Sequence, residues 1–314
     1  MIKRLQNKVA ESRFTLPAAA IYGTVVWLAS GLIQQQWWIQ FVCFALATYL
    51  MVELNNSNAL IRIYSRSVSA LFILLSCVAC FLFPSMEGAI TQVCMAASLL
   101  VLFRSYQDRM AAGSTFYGFL FLTIGSLAQV HLLWFIPFYW ILMVFFIFSM
   151  SLRTFIASLL GIFLPYWCLL IWVVWRYGDE ISPFADHFAP LGDFQFPVDY
   201  TALPLPLILT FVFVVALSIT GVIHYLRTSF LDKIRIRQIY YSFIFLNAVA
   251  AFFLLVQPQL YDVTLRMMII ATSPLIAHFL SLTRTRFTNI AFFAILGVTL
   301  ILTVLNLWIS LFNS

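Results

Sequence analysis

Arg266 stands about one turn inside an apolar segment and follows Tyr261-Asp262. A guanidinium is a planar fork that matches two oxygens at once, so Arg266 could grip a phosphate or carboxylate, or pair with Asp262. Arg176 closes another apolar segment beside Asp179 and Glu180 and admits the same two readings. Gln129 and His131 precede Trp134, where His131 could accept a proton at a cavity mouth or hold an interfacial hydrogen bond. His187 lies in an acidic connector. The ligand-binding candidates are therefore Arg266, Asp262, Arg176, Asp179, Glu180, His187, His131 and Gln129. A separate polar turn, Glu53-Leu-Asn55-Asn56-Ser-Asn58 followed by Arg62, reads as a hairpin with Glu53 paired to Arg62, or as a cytoplasmic gate. Asparagines compete for backbone bonds, so a helix is expected to break there.

Soluble catalytic signatures are absent from the sequence. It holds no Walker loop, dinucleotide fingerprint, HExxH or GxSxG. The histidines His131, His187, His224 and His278 show no metal spacing, and no cofactor is implied. Cys77-Val-Ala-Cys80 has redox spacing without the βαβ context of a redox domain, and all five cysteines lie in apolar runs.

The elements that must position these groups are membrane helices. Hydrophobic residues make up 63% of the 314-residue chain and charged residues 9%, with mean hydropathy +1.01. A soluble domain carries about 25% charged residues. The net charge of +6 is spread as short clusters between apolar runs, a pattern of membrane topology and not of nucleic-acid binding. Eleven runs are expected to span: 16–33, 37–54, 66–84, 87–103, 114–130, 133–150, 154–175, 204–226, 238–256, 264–282 and 287–311. The division of 114–150 is the least defined, a hairpin of two short helices or a re-entrant element. Alternating connectors place all but Arg176 and Arg266 of the basic residues on one side. The expected fold is thus all-α: a polytopic bundle of about eleven transmembrane helices forming one domain over 1–314, N-terminus cytoplasmic and C-terminus outside.

One long connector, 177–203, cannot cross a bilayer as a helix. Pro183, Pro190, Pro197 and Pro204 recur every seven residues, among acids and aromatic rings. Proline at that density prevents a continuous helix, and rings beside carboxylates suit a segment lying at headgroup level. It reads as an anchored connector or as a lid over a cavity.

The Asn55-Asn56-Ser-Asn58 turn, the Gly113-to-Trp140 hairpin followed by Arg153 and Gly161-Ile-Phe-Leu-Pro165, and Ser273-Pro274 with Arg284 and Arg286 resemble a family of uncharacterised polytopic inner-membrane proteins of Bacteroidota. That resemblance implies the inner membrane as location and assigns no activity. A looser similarity is to membrane glycosyltransferases and polymerases that use polyprenyl-linked sugars, although Gln34-Gln35-Gln36-Trp37 stands where those carry acids. The expected function is binding or processing of a lipid-linked phosphate or glycan in envelope biogenesis, with Arg266 and Arg176 holding the phosphate. The expected partners are the bilayer and an anionic or polyprenyl-linked lipid. The alternatives are a non-catalytic scaffold held to a membrane protein partner, and a secondary transporter.

Overall fold

Backbone inside lipid must satisfy its own hydrogen bonds, and long apolar runs do so as helices. The computed structural model describes residues 4–178, 181–193, 198, 200 and 203–312, and all regular structure among them is helical. In chain order the α-helices are α1 (Leu5–Glu11), α2 (Thr15–Ala29), α3 (Trp38–Asn58), α4 (Ser67–Val78), α5 (Met86–Leu102), α6 (Ala112–Ala128), α7 (Ile136–Phe145), α8 (Leu152–Tyr177), α9 (Ser182–Asp186), α10 (Leu205–Thr228), α11 (Ile234–Val256), α12 (Tyr261–Leu282) and α13 (Arg286–Phe312).

Among the described residues, seven helices are long and apolar enough to cross a membrane: α3, α5, α8, α10, α11, α12 and α13. The other four expected spans correspond to shorter apolar helices. α4 has 12 residues, about 18 Å of helix against a hydrocarbon core of about 30 Å. Its course continues through a 3-10 turn at Cys80–Leu82. Nearly every α4 residue is buried by protein, which is the setting where a broken helix is tolerated at membrane depth. The 114–150 run divides at Gln129 into α6, a 3-10 stretch Val130–Phe135 and α7, with Pro137 in the first turn of α7.

α12 is the axis of the bundle, with 94% of its most apolar stretch buried. It packs on α11, α10, α4 and α5. Two further contacts join α5 to α6 and α6 to α8. On the first of these, Ser98 Oγ donates to the Gly118 carbonyl at 2.6 Å and Thr91 Oγ1 to the Gly125 carbonyl at 3.3 Å. Both pairs are seven residues apart, so one face of each helix repeats the contact every two turns. The missing side chains of Gly118 and Gly125 let the backbones approach closely enough for these bonds.

Helix ends follow local chemistry. Ser151 and Thr154 exchange bonds as a capping box at the start of α8. The expected break at the asparagines does not occur there. α3 runs through Asn58 and ends on Ala59, at φ +50°. Ala59 N–H reaches the Asn56 carbonyl and Leu60 N–H the Asn55 carbonyl, so a Schellman-type end satisfies the last turn.

Candidate functional site

The two ends of α12 each carry a buried charged cluster. At the first end, Arg266 Nε donates to Asp262 Oδ1 at 2.7 Å, one helical turn away. Its other nitrogens donate to Gln92 Oε1 at 3.0 Å and to the Leu82 carbonyl at 2.7 Å. Asp262 Oδ2 accepts from Ser85 Oγ and from Gln129 Nε2, both at 2.6 Å. Ser85 is also the N-cap of α5, accepting from Gly88 N–H at 3.0 Å. A Cβ on Gly88 would lie 2.2 Å from Asp262 Oδ2 and 2.6 Å from Arg266 Nε, so any larger residue there would have to displace the ion pair. The sequence candidates Arg266, Asp262 and Gln129 thus meet, joined by Ser85 and Gln92, which come from other segments.

This cluster ties three helices and a turn together. The void beside it, between Trp27, Phe44, Gln92 and Arg266, measures about 10 Å³, room for about one water. A phosphate would have to displace Asp262 from the guanidinium.

Above that end lies the acidic connector. Its two similar units, Pro183-Phe-Ala-Asp186 and Pro190-Leu-Gly-Asp193, begin helical turns, α9 and a 3-10 turn Ala189–Gly192. Proline suits a first turn, where its missing N–H has no partner to lose. Phe188 packs on Tyr166 with ring centroids 4.9 Å apart, and His187 does so at 5.9 Å, while Asp186 and Asp193 are exposed. His131 Nε2 bonds the Pro190 carbonyl at 3.1 Å, and Gln259 Nε2 donates to the Asp193 carbonyl at 2.8 Å. His131 and His187 therefore fasten the connector to the bundle. Arg176 is exposed at the end of α8. Asp179 and Glu180 lie outside the described residues.

Burial pushes the His187 imidazole below its ordinary value of 6.5, more than its contact with the Ser126 backbone offsets. With its folded pKa depressed, His187 binds fewer protons docked than undocked, so docking weakens as pH falls below about 6.5. Hydrogen exchange across 181–193 is expected to accelerate between about pH 7.5 and about pH 5 beyond the intrinsic rate change, and His187→Gln is expected to remove that excess. An unchanged excess in the variant would assign it to another group.

At the second end of α12 the chemistry is different. Asp232, whose side chain is fully buried, faces Arg62 Nε at 2.9 Å and His278 Nε2 at 3.1 Å. Arg62, expected to pair with Glu53, is instead held by Asp232. Asn58 Oδ1 accepts from Arg235 Nη2 at 3.1 Å, and Asn55 Nδ2 donates to the Ser65 carbonyl at 3.0 Å. The asparagine turn thus staples the α3–α4 connector to α11. Of the polar-turn candidates, Asn55, Asn58 and Arg62 join this end, while among the described residues no hydrogen bond or ion pair links the Glu53 or Asn56 side chain to it. Asp232 and the role of His278 were not singled out by sequence. The available signal was an acid standing alone in an otherwise basic connector, Arg227 to Arg237.

A third feature is an apolar crevice of about 420 Å³ between α1, α2, α4, α12 and α13. Leu5 and Val9 form one lip, Leu71 and Leu280 part of the floor, and Phe292 and Leu296 the other lip. α1 is docked over it by polar bonds: Gln6 Nε2 donates to the Leu280 carbonyl at 2.6 Å, and Asn7 Nδ2 to the Thr283 carbonyl at 2.9 Å. None of its lining residues is charged, while α1 and the neighbouring connectors carry Arg4, Lys8, Arg13, Arg66, Arg284 and Arg286 in sequence, with the acid Glu11. A smaller crevice of about 240 Å³ lies between α10 and α11, and, like the larger one, it has no charged residue in its lining.

No known protein family, curated protein or solved structure matches the chain.

Proposed function

We propose that this protein is a multi-pass protein of the bacterial inner membrane that binds an anionic lipid, of the lipid-linked phosphate class, in envelope biogenesis. In this reading its eleven apolar segments all cross or enter the bilayer, the basic connectors and N-terminus face the cytoplasm, and the C-terminus faces outward. The observation that carries the reading is the crevice bounded by α1, α2, α4, α12 and α13. Its volume falls within the range of about 300–1,000 Å³ usual for ligand pockets. One acyl or isoprenoid chain fits its apolar walls, and the cations carried by α1 and the connectors next in sequence to its lining helices suit a phosphate. The phosphate is therefore assigned to the basic end, not to Arg266, whose donors already serve protein groups.

Native mass spectrometry with lipid extraction tests this on protein released gently from its own membrane. Wild type is expected to retain an anionic lipid. Ala18→Phe, which fills the crevice from an exposed position in its lining, is expected to lower retention about tenfold, a binding loss of about 1.4 kcal/mol. Reversal of the exposed Arg284 and Arg286 to Glu should do the same. Equal retention of neutral lipids, or unchanged retention in both variants, rejects the site. A stoichiometric protein without lipid would make the molecule an assembly partner instead.

A further inference from the structure

The buried cluster at the basic end of α12 has a property that neither the fold nor the lipid crevice requires. Asp232 sits in the α10–α11 connector with no side-chain exposure, between a cation and an imidazole. A carboxylate in such a place must be neutralised, and Arg62 does so. With that pair balanced, His278 needs no charge of its own. In neutral form it donates Nε2–H to Asp232 and leaves Nδ1 as a bare acceptor.

That second nitrogen is buried and has no partner among the described residues. The hydroxyl of Tyr225 is also buried and without a partner among them, on a ring whose centroid lies 5.1 Å from that of His278, and the two atoms make no hydrogen bond with each other. Buried polar atoms are rarely left unpaired, so the bare Nδ1 is open to a proton. No void suited to a larger ligand adjoins it among the cavities described above, and a proton needs none.

We infer that Asp232 and His278 form a proton-binding site, with Nδ1 of His278 as the acceptor. Asp232 is the positioning residue. It holds the ring by Nε2 and stabilises the imidazolium that forms. Arg62, about one-third exposed, is the cluster's outermost member and marks the route to solvent. The other ionisable groups facing the pair are His224 and Tyr225 from α10 and Tyr240 from α11, with Arg237 and Tyr241 beyond them next to Tyr225. Arg62, Arg237 and any charge on His224 oppose protonation, and Asp232 favours it. When the proton binds, the carboxylate is shared between two full cations. The Arg62 contact, which joins the α3–α4 connector to the α10–α11 connector, then weakens. Proton uptake would therefore loosen one end of the bundle, the requirement for a proton-driven step. This inference is independent of the lipid reading.

Nitrogen-15 spectra of the histidines in the full chain, in lipid nanodiscs, decide it. The four histidines are assigned by His278→Gln and His224→Gln. His278 Nδ1 is expected to be found carrying a proton in the more acidic samples and bare in the more alkaline ones. Asp232→Asn is expected to disfavour that proton, because the favouring charge is gone while Arg62 remains. A His278 that keeps one protonation state in all samples overturns the inference. So does proton binding left unchanged by Asp232→Asn. Should Asp232→Asn fail to fold, the wild-type titration alone decides between proton uptake and a fixed state.

Discussion

Arg266→Ala is expected to destabilise the protein by about 3–5 kcal/mol, the usual result of removing one partner from a buried pair. The guanidinium serves Asp262, Gln92 and the Leu82 carbonyl together, and its side chain is only 6% exposed. Its loss leaves a mostly buried carboxylate with only Ser85 and Gln129 as donors, and a carbonyl without its partner. Arg266→Lys is expected to recover only part of the loss, since a single ammonium cannot span all three acceptors. The double variant Asp262→Asn with Arg266→Ala is expected to be less damaging than the sum of its parts, because no unpaired charge remains. Denaturant unfolding in detergent measures each. A folded, wild-type-stable Arg266→Ala that loses its lipid would return the phosphate to this residue.

The second large effect belongs to a glycine. A Cβ on Gly161 would lie 2.5 Å from the Phe116 carbonyl oxygen and 3.1 Å from the Leu120 nitrogen. Both are backbone atoms of α6, so no side chain can swing away to make room. Gly161→Ala must push α8 from α6, and the expected cost is about 1–3 kcal/mol. Gly297 on α13 is the internal control, since nothing lies within 4 Å of its Cβ position. There the same substitution is expected to be neutral or to add roughly 0.5–1 kcal/mol through helix propensity. Paired melts of the two variants separate close packing from any general effect of alanine. Equal shifts would mean that the α6–α8 approach carries no stability.

Much of the architecture was legible because the bilayer constrains it so tightly. Each apolar run expected to span contains a helix, and the hairpin break fell at Gln129 as its neighbours suggested. The departures have local causes. α3 extends past its expected end because the asparagine side chains bond connectors and helix carbonyls without terminating the helix. α4 is shorter than a span because protein surrounds it. The Asp262–Arg266 pair was one of the two readings open to sequence, being local. Its other partners were not readable, because Leu82, Ser85, Gln92 and Gln129 are brought to it only by packing. Asp232 was hidden by its company, one acid within a basic connector, and its value as a buried charge appears only when Arg62 and His278 arrive from elsewhere.

The burial of α12 has a consequence for how the protein is made. Residues 261–282 leave the ribosome after α4, α5, α10 and α11, the helices they pack against, yet they occupy the centre. Until they arrive, Ser85, Gln92 and Gln129 lack Asp262 and Arg266, and the Gly221 face of α10 lacks the Leu275 backbone that it seats. The earlier helices therefore lack their central packing partner until this segment is made. A nascent chain stopped before Tyr261 would present those unpartnered groups to lipid, to insertion chaperones and to membrane proteases. Central position and late synthesis together make this helix the natural checkpoint of assembly.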